Sequence, residues 1–369
     1  MARKSSPRAA PFLSLTGGEG RGEGAGSGAL SNTRLTLPSL RDGPLPLPPE
    51  GRRGKKCTTT AQAAPVAAVH AKALDLDAGL SGDNALRCIG LACLDQILRN
   101  EAAVRAGVPE GIHQMRVAVR RLRAILAAFG RMLPADQRRS VSQELRWLGD
   151  ALGPARNLDV FQTALIAPAR NAGAQPDGIA ALIAAAECRR KAAHAKAIKA
   201  IRSTRYARLI LRQLRWFDSR AWHEGAAAQD LRQPIAALAP RILDRRVLVA
   251  ERRAKGFAAQ SAAERHRLRI ALKKLRYATE MLAGIYDADK VRRFTRRLKR
   301  LQDDLGDAND VRVGHTIVAE LTRSKGGASA IGDAGKIVLA WHEDRLARRE
   351  PRLRRHLDGL LATEPFWSG

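Results

Sequence analysis

This sequence predicts an all-α fold built from two similar halves, and three observations carry that expectation. Helix-forming Ala, Leu and Arg dominate its 369 residues and alternating β-branched runs are absent, which favours helices over strands. An eleven-residue pattern occurs twice, HQMRVAVRRLR from His113 to Arg123 and HRLRIALKKLR from His266 to Arg276, 153 positions apart. The correspondence continues at the same offset, where LRWLGDALGPARNLDVF at 145–161 lies over LKRLQDDLGDANDVRVG at 298–314. The length allows two domains or one double-lobed domain with a sizeable core.

The elements follow in order along the chain. Residues 1–70 are rich in Gly, Pro, Ser and Arg, with GGEGRGEGAGSG and LPLPP stretches, a composition that reads as a disordered tail. Helices are then expected near 83–106, 112–130, 135–152 and 156–170, with Pro109, Pro134 and Pro154 punctuating the joins. A long helical stretch at 176–217 has a candidate break near Ser203, and 218–230 reads as the connection between halves. The second half is expected to hold helices near 231–254, 261–284, 288–305 and 308–323. After a loop at Gly326 and Gly327, helices near 333–348 and 351–361 close the chain. Leu145, Leu148 and Leu152, with their counterparts Leu298, Leu301 and Leu305, have core spacing, and Gly153 and Gly306 mark helix stops. Trp147, Trp216 and Trp341 read as core, and His194 reads as a surface residue.

At about 100° per residue, Arg116, Arg120 and Arg123 fall within roughly 80° of His113 on one stripe. Met115, Val119, Leu122 and Leu126 form the apolar stripe beside it. The second copy repeats this with His266, Arg269, Lys273 and Arg276, flanked by Leu268, Leu272 and Leu275. Arg121 and Lys274 point away from the stripe in both copies. A solvated basic face is the alternative reading. Ordinary exposed helices mix signs, however, because like charges at i,i+4 repel. No acid stands between 113 and 123, and the first acid after His266 in its helix is Glu280, placed to pair with Arg276. Repulsion repeated at identical spacing points to a polyanion that offsets it. Each histidine opens its stripe. Nearby arginines should hold its pKa down until a bound phosphate raises it. No Cys, Asp or second His stands at ligand spacing around either one, so neither a metal nor another cofactor is expected.

Secondary basic positions also match across the repeat, Arg139 with Arg292 and Arg146 with Lys299. Asp150 matches Asp303 and Asn157 matches Asp310. Asp150 and Asp303 are either surface residues or carboxylates that fix arginine rotamers. The formal charge of +29 implies a polyanionic partner or an anionic surface. Aromatics are only 4% of residues and the basic helices carry one amide, Gln114. Stacking on bases and reading of base edges therefore lack their usual side chains, so nucleic acid is expected to bind only non-specifically. Cys57, Cys88, Cys93 and Cys188 form no CxxC pair, and Cys88 and Cys93 read as small core residues. This suits a reducing, cytoplasmic compartment. No run of eighteen apolar residues is present, and no membrane span is expected.

The segments PEGIHQMRVAVRRLRAIL, LGDALGPARNLDVF, STRYARLILRQLRW, ERHRLRIALKKLRYATEML and LQDDLGDANDV, in this order, resemble the CHAD family, the conserved-histidine α-helical domain. The resemblance covers about residues 83–362. It implies a domain over 81–362 after a basic tail over 1–80, with a first half at 83–222 and a second at 230–362. The implied architecture is two four-helix bundles related by pseudo-twofold symmetry, around a basic central cavity that binds inorganic polyphosphate. The family's histidines fall on His113 and His266. Its basic helix positions fall on Arg116, Arg120, Arg121 and Arg123, and on Arg269, Lys273, Lys274 and Arg276. Arg139, Arg146, Arg156, Arg205, Arg292 and Lys299 are expected as secondary anion contacts, with Asp150, Asp303 and Asp310 as supporting carboxylates. The family's Arg-Asp-x-Asp segment falls on Arg156, Asn157 and Asp159, so Asn157 departs from the pattern. Arg205 and Tyr206 match its Ser-x-x-Arg-Tyr segment. Many members carry an N-terminal triphosphate-tunnel domain with an ExExK motif. Too few residues precede position 83 for one here and ExExK is absent, so the resemblance implies a non-catalytic binder. Members are associated with polyphosphate or polyhydroxyalkanoate granules, which makes a granule-associated protein or a granule scaffold the family's suggestion for location and role.

Overall fold

The structure, a computed structural model, describes residues 66–174, 176–223, 226–323 and 328–368. The tail up to residue 65, Cys57 and the loop expected at Gly326–Gly327 lie outside the described residues. Among the described residues the fold is all-α. The first half runs α1 (Gly82–Arg99), α2 (Glu101–Arg105), α3 (Pro109–Ala128), α4 (Ala135–Val160), α5 (Ala167–Asn171), α6 (Ile179–Ile201) and α7 (Thr204–Asp218). The second runs α8 (Ile235–Ala254), α9 (Ala262–Met281), α10 (Ala288–Leu321) and α11 (Ala328–Leu361). Packing follows the same order in each. Helix α1 lies on α3, α3 on α4 and α4 on α6; α8 lies on α9, α9 on α10 and α10 on α11. The halves meet where α3 packs on α9 and α6 on α11. This matched order is compatible with the expected twofold relation.

Local chemistry sets the helix ends. Ser81 accepts from the Asn84 amide at the start of α1, and Ser203 accepts from that of Tyr206 at the start of α7. The Ser203 break is thus an N-cap. Ser261 and Glu264 form a reciprocal capping box at α9. Leu145, Leu148, Leu152, Leu298 and Leu301 are fully buried and Leu305 nearly so, each contributing about 1.5–3 kcal/mol by burial.

Gly153 and Gly306 do not stop their helices. Helix α4 runs through Gly153 and Pro154, and α10 runs through Gly306. The break between 348 and 351 is likewise absent, since α11 continues through Pro351. After α4 the chain passes into a π-helical turn at Phe161–Ile166. The helix expected over 83–106 divides at Asn100. Its side-chain amide brackets Val69, accepting from the Val69 amide and donating to the Val69 carbonyl.

That contact belongs to an ordered strap. Residues 66–80, part of the expected tail over 1–80, run non-helically against the helices and bury Leu76. Leu80 and Ala78 accept from the amides of Ile235 and Ala236 at the start of α8. The connection between halves is pinned as well. Trp222 is fully buried and donates to Asp83 in the first turn of α1 at 2.6 Å, where Arg220 also reaches the carboxylate at 3.1 Å.

Other expectations change with burial. His194 is buried rather than on the surface, and its Nε2 lies 2.8 Å from Asp159. Cys88 is exposed while Cys93 is core. Trp216 is buried, but Trp147 and Trp341 are only half-buried, stacking under Arg205 and Arg345 at 4.4 and 4.5 Å. Amphipathic indole rings sit readily at this boundary.

Candidate functional site: a basic face between the two repeated helices

Packing of α3 on α9 brings the two basic stripes together. Arg120 of the first copy lies close enough to Arg269 and Lys273 of the second to depress the pKa of both. Arg123 bears on Lys274 in the same way. His113, Arg116 and Arg120 share one side, with Arg156 arriving from α4. His266 stands beside Arg269, Lys273 and, from α10, Arg312.

The electrostatic cost of this assembly appears in the titrating groups. Burial first, and then Arg120, Arg269 and Arg276, pull Lys273 down to about 6, while Asp310 works in the opposite direction. His113 falls to about 4 through burial and Arg156, with Glu110 opposing. Burial and Arg120 bring Arg116 down to about 10. His266 is lowered by burial and Arg312. Each shift disfavours the cationic form, because these groups are partly buried and crowded by like charges.

Hydrogen bonding gives the same picture. The buried Nε atoms of Arg120 and Arg269 and the Nδ1 of His266 have no hydrogen-bond partner among the described residues. Arg116 donates to the Gly149 carbonyl at 2.6 Å. A Cβ at Gly153 would lie 3.1 Å from Arg116 Nη1, tighter than ordinary contact, whereas one at Gly306 would meet Arg269 Nη2 at an ordinary 3.9 Å. Gly153 thus leaves room for the Arg116 guanidinium. Arg276 makes the expected contact with Glu280, at 3.5 Å.

Not every basic position joins this face. Arg121 is buried against α1, its Nη1 3.4 Å from Gln96 Oε1, although it also lines a groove of about 770 Å³ with Lys72, Arg276, Arg292, Arg296 and Lys299. Arg292 is exposed and held by Asp289, and Lys299 is exposed at the groove. Arg139 and Arg146 are exposed, Arg146 near enough to lower Arg123. Arg205 is committed to Glu144 and Trp147 rather than to the stripe.

The supporting carboxylates need correction. Asp150 and Asp303 are exposed and make no ion pair or hydrogen bond among the described residues. The reason is their outward position on α4 and α10. Asp150 acts on Arg116 and Arg123 only through its field, whereas Asp310 acts on both Arg269 and Lys273. In the first half a buried carboxylate on α4, Asp159, holds His194 at 2.8 Å and Arg190 at 3.4 Å. Arg312, Asn309 and Arg246 escaped the sequence reading. The repeat offset signals the first two, since Asn309 stands at the position of Arg156 and Arg312 at that of Asp159. The second half thereby moves its third-helix cation by three residues, one helical turn. Arg246 comes from α8, outside the repeated segments, and its charge bears on Lys274.

Beside His266 a cavity of about 400 Å³ opens toward α11, lined also by Arg312, and its charges on the α11 side are paired. Arg265 and Glu350 make two 2.8 Å bonds and Arg349 reaches Asp307 at 2.9 Å. On the α3–α9 face, by contrast, Arg120, Arg269 and Lys273 make no ion pair among the described residues.

The repeat, the paired histidines and this packing coincide with the extent of one family model, which matches residues 88–319 as a CHAD domain. The chain belongs to the CHAD family. An uncharacterised protein of Mycobacterium tuberculosis is 31% identical over 232 residues, which are 59% of this chain and 41% of that relative. The chain thus spans less than half the length of this relative. The crystal structure of the CHAD domain from the plant Ricinus communis is similar with a TM-score of 0.70 and 32% identity, over 81% of this chain and 98% of that one. PptA from Streptomyces chartreusis shares the fold, with a TM-score of 0.54 and 18% identity over 77% of this chain and all of that one. No helix among the described residues of this CHAD protein is long and apolar enough to cross a membrane.

Proposed function

We propose that the protein binds inorganic polyphosphate on the α3–α9 face and does not cleave it. One observation carries this reading. Arg116, Arg120, Arg123, Arg269, Lys273 and Arg276 converge from two repeats, and Arg120 and Arg269 retain buried Nε donors with no acceptor among the described residues. A chain of phosphoryl oxygens supplies acceptors at that density and the negative charge the face lacks. Arg forks take two oxygens at once and Lys acts as a point charge. A binding role is favoured because no hydroxyl or thiol nucleophile lies on either stripe. Cytoplasmic location and recruitment to polyphosphate or polyhydroxyalkanoate granules form part of this proposal through the family resemblance.

Isothermal titration with polyphosphate of defined length, in competition with duplex DNA, tests the reading. Polyphosphate should displace DNA at far lower phosphate equivalents. Equal competition would support a general nucleic-acid binder instead. Chain shortening during incubation with Mg²⁺ would replace the binding role with an enzymatic one.

A further inference from the structure

The repeat is not chemically symmetric at its centre. The position held by Arg120 in the first copy is held by Lys273 in the second, and the two charges face each other across the α3–α9 contact. A guanidinium does not lose its proton in a protein, whereas a lysine amine does so readily when buried among cations. One copy therefore carries a potential nucleophile where the other carries a fixed charge.

Lys273 is half-buried and makes no hydrogen bond or ion pair among the described residues. Arg269 stands four residues earlier on the same helix face, and Arg120 approaches from α3. Both guanidinium groups keep an unpartnered buried Nε. The other charged groups bearing on the amine are Arg276 on α9 and Asp310 on α10.

We propose that Lys273 is a site of covalent acylation by acyl phosphates, with Arg120 and Arg269 holding the phosphate and Lys273 Nζ attacking the carbonyl carbon. The N–C bond forms as the C–O bond to the phosphate oxygen breaks. Inorganic phosphate leaves and takes up the amine proton, so no further co-reactant is required. The arginines select this class because the reagent's anionic phosphate is also its leaving group; a neutral acyl donor gives them nothing to hold. Burial and the surrounding cations lower the amine's pKa to about 6; a phosphate shared between the two arginines raises it again in part, and the amine still keeps a larger unprotonated fraction at neutral pH than an exposed lysine. Acylation removes a central charge and so lowers the affinity of the face for any polyanion. The chemistry needs only one phosphate bound and does not depend on polyphosphate being the ligand.

The full chain is incubated with acetyl phosphate and its lysines are followed by mass spectrometry between about pH 6 and pH 9. At pH 7 Lys273 should acetylate roughly tenfold or more faster than exposed Lys191 and Lys196, because its free-amine fraction is far larger. Its rate should level off above neutrality while theirs continue to rise. N-hydroxysuccinimidyl acetate, a neutral donor, should show a smaller preference for Lys273, and Lys273→Arg should remove the fast site without unfolding the chain. A Lys273 rate no greater than that of the exposed lysines overturns the proposal, as does an equal preference for the neutral donor. Polyphosphate titration of unmodified protein is read separately, so the two proposals can fail independently.

Discussion

A methyl group on Gly153 would crowd Arg116 Nη1 at 3.1 Å, in the middle of a continuous helix. Ala is favoured over Gly in a helix interior by about 1 kcal/mol, so the glycine's value lies in the guanidinium it admits. Gly153→Ala should leave the melting temperature unchanged or raised while weakening polyphosphate binding severalfold, as read by calorimetry and titration. A lower melting temperature with unchanged affinity would show that the glycine serves the backbone instead. Lys273 makes the same trade in charge. Its folded pKa lies below its unfolded value, so the unfolded chain holds more protons between about pH 6 and pH 10 and ligand-free stability from this group rises with pH across that window. Lys273→Met removes that penalty. The variant should melt higher than the parent at pH 7 without ligand and bind polyphosphate less tightly, and an unchanged melting temperature would mean that the cation is adequately solvated.

At the scale of elements, the repeated helices were legible because one pattern specifies both period and charge. His113 and His266 open stripes whose members the fold brings into one face. The breaks were misread because Gly signals both a helix stop and a close approach, and one sequence cannot separate the two. Gly153 is the second kind, and Gly306 lies within a continuous helix with only ordinary contact to Arg269. His194 was misread because its partner, Asp159, lies on another helix, and no local pattern reports such a contact. Arg205 was assigned by resemblance, yet Glu144 and Trp147 engage it. Element geometry therefore ranks the cations. Arg116→Ala with Arg269→Ala should weaken polyphosphate binding by tenfold or more, since each charged hydrogen bond is worth about 1.5–3 kcal/mol. Arg139→Ala with Arg292→Ala removes equal formal charge from exposed positions and should cost much less. Equal losses, measured by titration at one ionic strength, would mean that diffuse charge captures the ligand.

For the whole molecule, the two halves hold like charges against each other, and their core and connections keep that arrangement closed. The strap at 78–80 bonds to α8, and Trp222 and Arg220 fasten the connection to Asp83. A polyanion entering this prearranged face both releases its counterions and relieves the repulsion. The first effect makes log K fall linearly with log salt concentration. The second couples binding to protons. With the face empty, His113 at about 4 and Lys273 at about 6 are neutral at pH 7. Phosphate charge beside them raises both values, so binding draws protons from solution and affinity must fall as pH rises from about 6 to 8. Titration at pH 7 in buffers of different ionisation enthalpy measures that uptake directly. A positive proton count that disappears in Lys273→Arg would locate the effect at this lysine. A count of zero in the parent protein would mean that the polyanion binds elsewhere on the basic surface, away from the α3–α9 contact.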